Sequence, residues 1–301
     1  MVHIEERVEG KKKKFYLAKT IRNKDKVRKK RIFLGTDLNT IQLEKLKKDA
    51  MVELGEIDFE NVLNQTEIHE FEKIKEQLNK QISSFDKDNF YELFISEFTY
   101  GSNAIEGSTL TLDETNQVLF EGISPKGKPL VQVQEAKNHK EAYDFIKKSK
   151  RKKIDTKFLC ELQRIVVKET RTSGIGELRS VNVRVGTHIA PPFYSVPRKL
   201  TALVKWFNSN MNKYNPVVVS AYFHAIFEEI HPFVDGNGRS GRLLLNLMLQ
   251  EKDFPPLIIF FEQRQEYYTA LEKARKDKDL LPLIKVIKKG YVKMLNKLEN
   301  K

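Results

Sequence analysis

From about residue 40 onward, apolar residues recur at three- and four-residue spacing in segment after segment, and this periodicity constrains the fold more than any other feature. The spacing predicts helices over about 40–55, 65–83, 87–105, 112–121, 131–149, 155–171, 198–212, 216–230, 239–251, 264–275 and 279–298. Asp37 or Thr40 is read as the cap of the first and Gly55 as its stop. The texture breaks once, at "TSGIGELRSVNVRVGTHIAPPFYSVP" (172–197), where glycines, prolines and alternating valines predict a loop with a short hairpin at about 184–196. A chain of 301 residues built this way is expected to be mainly α, with a sizeable core.

Charge marks off the other end of the chain. Residues 1–36 hold 13 Lys or Arg against 4 Asp or Glu, so this short segment supplies +9 of the net +13. Within it, Phe15–Arg22 and Lys26–Leu34 read as two β runs joined at Asn23-Lys24-Asp25, a basic hairpin or part of a three-stranded module over 1–40. Its lysines fit a solvated edge that deters aggregation, and they also fit a contact with nucleic acid. The single Cys160 excludes an intramolecular disulfide. "MVHIEERVEG" lacks the apolar core of a secretory leader, and the longest apolar runs fall far short of a membrane span. A cytoplasmic protein is expected.

The densest chemistry lies in "HPFVDGNGRSGR" (231–242), between two helical segments. Asp235-Gly236-Asn237-Gly238 is turn-forming, and a glycine-rich loop that runs into a helix offers backbone N–H groups and the positive end of the helix dipole to a phosphate. Arg239 and Arg242 are three residues apart, a spacing that lets both planar forks serve one face. Asp235 suits Mg²⁺ (or Mn²⁺) bridging phosphates, and His231 suits removal of a proton from a hydroxyl. The Walker pattern is absent, so any anion cradle here is of another kind.

The segment resembles the Fic (Fido) family motif HxFx[DE]GNGRxxR at every defined position, and the likeness extends over about 95–290, through "SGIGELRSVNVRVG", "THIAPPFYSVPRKLTALVKWFN" and "FPPLIIFFEQRQEYYTALEKA". The resemblance implies a mainly α Fic/Fido helical fold with a β-hairpin flap, here beside the basic N-terminal module. It implies transfer of AMP from ATP to a Ser, Thr or Tyr hydroxyl of a protein target or of the chain itself. His231 would be the base, Phe233 a buried anchor and Asp235 the metal ligand. Gly236, Asn237 and Gly238 would form the anion hole, with Ser240 and Gly241 beside them. Arg239 would bind phosphates and Arg242 the γ-phosphate. Gly186, Thr187, His188 and Ile189 would meet the nucleotide from the flap, which in the family holds a target strand. Tyr267 and Tyr268 would lie on the adenine side, where Arg275 replaces a frequent Asn.

"SNAIEG" resembles the family's inhibitory pattern [ST]xxxE[GN], which places Ser102, Glu106 and Gly107 on a helix of about 87–107. The resemblance implies that Glu106 pairs with Arg242 and opposes the γ-phosphate, and that the same glutamate serves removal of AMP in some relatives. The expected division is 1–40, 41–111, 112–290 and a tail at 291–301. Another donor (UMP or phosphocholine), a nucleic-acid-binding regulator acting through the N-terminus, and a homodimer remain open readings.

Overall fold

The computed structural model describes residues 2–10, 12–23, 26–54, 57–149, 154–186 and 188–299. The expected turn residues Lys24 and Asp25, the stop Gly55 and the flap residue Thr187 therefore lie outside the described residues. The chain divides into two compact units, 1–62 with 276–279, and 63–275 with 280–301.

The first unit is a three-stranded antiparallel sheet followed by a helix: β1 (Val2–Glu9), β2 (Lys12–Asn23), β3 (Lys26–Thr36) and α1 (Thr40–Leu54), with β2 central. Phe15, Leu17, Leu34 and Ala50 form its core, with Ile4, Ile32, Leu43 and Leu46 packed around them. A β-bulge at Phe15/Tyr16 admits one extra residue on β3. The helix begins elsewhere than the sequence suggests. Asp37 closes the sheet end, exchanging hydrogen bonds with the Lys13 backbone, whereas Asn39 and Gln42 cap each other's N–H groups. The expected break at 40/41 is also displaced, because the apolar face of α1 is what covers the sheet.

The second unit is helical: α2 (Gln65–Ser84), α3 (Lys87–Ile105), α4 (Leu112–Asn116) running into a π-helical turn (Gln117–Glu121), α5 (Leu130–Lys148), α6 (Thr156–Val166), α7 (Val196–Asn210), α8 (Pro216–Ile230), α9 (Asn237–Gln250), α10 (Arg264–Lys276) and α11 (Leu281–Glu299). α8 and α9 form the central pair. Val217, Ala221, Phe223, Phe227, Leu243, Leu247 and Met248 are all buried, and helices apolar on every side belong in the interior. α6 stops five residues short of the expected end: Asn138 on α5 donates to the carbonyls of Val166 and Lys168, and Glu169 takes positive φ. The expected hairpin is reduced to β4 (Arg184–Val185) and β5 (His188–Ile189). Among the described residues, no helix is long and apolar enough to cross a membrane.

Candidate active site

The glycine-rich loop is held by its own side chains. Asn215 caps α8 by accepting from the N–H groups of Val217 and Val218, and the helix stops at His231, which adopts a left-handed conformation (φ 50°). Phe233 is fully buried and anchors the turn. Asn237 seals it, accepting from the Phe233 N–H and donating to the Phe233 carbonyl, both at 2.9 Å. Its amide is thereby spent on bracing, so any contribution of Asn237 to an anion hole comes from its backbone. From α6, Gln163 donates to the Asp235 and Gly174 carbonyls and accepts from Gly176 N–H. Gly236 has φ 79°, and a Cβ there would stand 2.8 Å from Val167, so only glycine lets the loop lie this close to α6.

Gly236 at the N-cap of α9 has no side chain to cap the helix. Its N-terminus opens into a 300 Å³ cleft whose walls include His231, Asp235, Gly236, Gly238, Arg239 and Glu106. The first-turn N–H groups and the dipole of a fourteen-residue helix favour an anion there. Burial drives the His231 pKa down to about 4, helped by the charges of Arg179 and His188, so the imidazole is neutral at pH 7. Its Nδ1 is buried, with no hydrogen-bond partner among the described residues. Asp235 accepts from Gly236 N–H (2.6 Å) and lies 3.3 Å from Arg239 and 3.4 Å from Arg171. Arg239 also binds Glu135 at 2.7 Å.

Arg242 turns the other way. It is 2% exposed and donates to the Ser102 hydroxyl (3.0 Å), the Ser102 carbonyl (2.8 Å) and the Glu106 carboxylate (2.7 Å). Burial opposes its charge, yet Glu106 and Tyr267 more than offset this and hold the guanidinium firmly protonated. Glu106 is the C-cap of α3 and is 37% exposed on the cleft wall. A Cβ on Gly238 would fall 2.1 Å from its Oε1, so the carboxylate rests directly on the first turn of α9. Arg264 and Tyr268 fix the end of α3 by donating to the Ile105 carbonyl. Gly107 follows with φ 103°.

A second cavity of 430 Å³ is lined by residues including Gly186, His188, Glu228, Tyr268 and Arg275. His188 meets the Glu229 carbonyl through Nε2 (3.1 Å), while Ile189 is 74% exposed and does not line the cavity. Tyr267 departs from its expected place. It is buried, its hydroxyl 2.7 Å from His224 Nε2, and Tyr268 alone of the pair reaches the cavity. Ser240 and Gly241 likewise do not line the cleft. Ser240 is buried, and Gly241 packs where a Cβ would strike Glu228 at 2.3 Å. Burial raises the Glu228 pKa to about 8.

Arg179 was not singled out by the sequence, although "GELR" contains it. Its buried guanidinium donates to the carbonyls of Val181, Pro191, Ile230 and His231, and its N–H donates to Pro232. One side chain thus ties both roots of the flap to the start of the loop. Glu135, Arg171 and Gln163 were also missed, because each reaches the loop from a distant helix or turn.

A half-buried histidine thus stands beside a helix N-terminus that is preceded by glycine. Residues 153–249 match the Fic/DOC family model. The chain is 32% identical over 192 residues to the "Protein adenylyltransferase Fic" of Nematostella vectensis, covering 62% of this chain and 45% of that protein. It is 36% identical over 191 residues to the protein of the same name from Drosophila melanogaster, covering 62% and 39%. The chain thus spans less than half the length of these relatives. The fold resembles a Fic domain containing signaling protein from Bacteroides thetaiotaomicron (TM-score 0.68, 25% identity, 76% of this chain and 96% of that one). It also resembles Fic-1 (aa134–508) from C. elegans (TM-score 0.70, 24% identity, 88% and 78%), a likeness of fold.

Proposed function

We propose that this chain is a protein adenylyltransferase restrained by its own α3. The observation that carries the reading is a neutral, half-buried His231 beside the N-terminus of α9 in one cleft. The α-phosphate of ATP would rest on the Gly236–Gly238 backbone with Arg239 beside it. The target hydroxyl oxygen bonds to the α-phosphorus as the bond to the β-phosphate breaks. Pyrophosphate leaves, and the hydroxyl proton passes to His231. Positioning and stabilisation of charge dominate such a displacement. Asp235 suits Mg²⁺, a cation satisfied by one carboxylate when phosphate oxygens complete its shell, and that ion would neutralise phosphate charge. Among the described residues no cluster of three acidic, His or Cys side chains forms a cage by itself.

Glu106 acts as the restraint. While it holds Arg242 and rests on Gly238, its charge opposes a γ-phosphate and takes the donor that phosphate would use. The same carboxylate, exposed on the cleft wall, would orient a water for removal of AMP. The test is intact-mass analysis of proteins in a cell extract supplied with the Glu106→Gly chain and ATP, UTP or CDP-choline. An AMP adduct that appears only with ATP supports the reading, whereas a UMP or phosphocholine adduct overturns the donor.

A further inference from the structure

We infer that the open face of the N-terminal sheet is a binding site for single-stranded nucleic acid. Side chains alternate across the three strands. One face (Ile4, Leu17 and Ile32) is packed with Leu43, Leu46 and Ala50 of α1. The opposite face carries cross-strand rows His3–Ala18–Arg31, Glu5–Tyr16–Phe33 and Arg7–Lys14–Thr36, with Lys29 beside Thr20.

Glu5 stands at the centre of these cations, 2.6 Å from Arg7, 2.8 Å from Lys29 and 3.1 Å from Arg31. One carboxylate facing three cations leaves the cluster with surplus positive charge. In the same row lie two aromatic rings, Tyr16 and Phe33, with centroids 5.3 Å apart. Phe33 is 53% exposed, and the Arg7 guanidinium sits 5.4 Å over the Tyr16 ring. Lysines that only guard a sheet edge need no exposed aromatic between them. A face that combines ring and guanidinium platforms with surrounding cations suits a strand whose bases are free to stack and whose phosphates need neutralising. The choice agrees with the +9 concentrated in residues 1–36.

The test uses the full chain and fluorescence anisotropy with labelled single-stranded DNA and RNA of mixed sequence. A duplex of the same sequence and polyglutamate serve as comparisons. With about three cations engaged, single-strand affinity should fall roughly ten- to twentyfold between 50 and 200 mM KCl. Lys29→Gln with Arg31→Gln should flatten that dependence, and Phe33→Ala should weaken single-strand binding about fivefold or more. Lys199→Gln, an exposed lysine of the second unit, should change nothing. Thermal melting of each variant separates lost binding from lost folding, and the double charge variant keeps the test open if Phe33→Ala fails to fold. The inference is overturned by absent binding at 50 mM KCl, by indifference to the double charge variant, by equal competition from polyglutamate, or by duplex bound as tightly with Phe33→Ala silent.

Discussion

At His231, burial is the largest influence on which protonation state is available. With its pKa near 4 the imidazole stays an acceptor well below the ordinary histidine range. The transfer rate of the Glu106→Gly chain should therefore hold from pH 7.5 to about pH 5.5. A pH–rate profile falling with a midpoint near 6.5 would contradict the burial argument. Glu228 shows the opposite shift. Its folded pKa, about 8, lies above the unfolded value, so the folded state binds more protons between roughly pH 4.5 and 8. The stability this group contributes is complete below about 4.5 and is lost as pH rises through 8. Glu228→Gln should thus melt progressively higher than wild type as pH rises from 5 to 9, which calorimetry at several pH values would read. A constant difference in melting temperature would refute it. The loop's geometry was legible in the sequence because it is local: a turn, a helix start and a histidine beside both. Ser240, Gly241 and Tyr267 misled because adjacency in sequence is not adjacency in space. One step along a helix rotates a side chain by about 100°, enough to carry it from the cleft into the core.

Elements explain what single residues do not. α3 matters through its last turn, where Ser102 and Glu106, four residues apart, face one guanidinium. That pairing was readable only through the family resemblance, because nothing in the local pattern says that 106 meets 242. The flap is shorter than its sequence suggested, and Arg179 shows why so little sheet suffices. Its donors satisfy carbonyls on both flap roots and on the end of α8. Arg179→Lys keeps the charge but cannot bridge these carbonyls with one planar fork. In the Glu106→Gly background it should lower turnover, on the order of 10²-fold for a misplacement near 1 Å, and leave ATP affinity nearly unchanged. Single-turnover kinetics beside calorimetric ATP binding would separate the two, and equal losses in both would point to general disruption.

At the scale of the whole molecule, helical periodicity located nearly every element of the second unit, since a helix that buries one face must repeat that face in its sequence. The boundary between units was less visible. α1 reads like its neighbours in sequence, yet its apolar face serves the sheet core, and only the three-dimensional partner reveals that. The second unit places His231, the start of α9 and the Glu106 carboxylate within one cleft. Restrained adenylyl transfer is the claim that joins them. The most direct test is incorporation of α-phosphate label from ATP into protein by the wild type, Glu106→Gly and Glu106→Gly/His231→Ala chains, with ATP binding measured for each. Strong labelling by the single variant alone, with ATP still bound by the double variant, is the expected result. Equal labelling by wild type and Glu106→Gly, or labelling that survives loss of His231, would contradict the account.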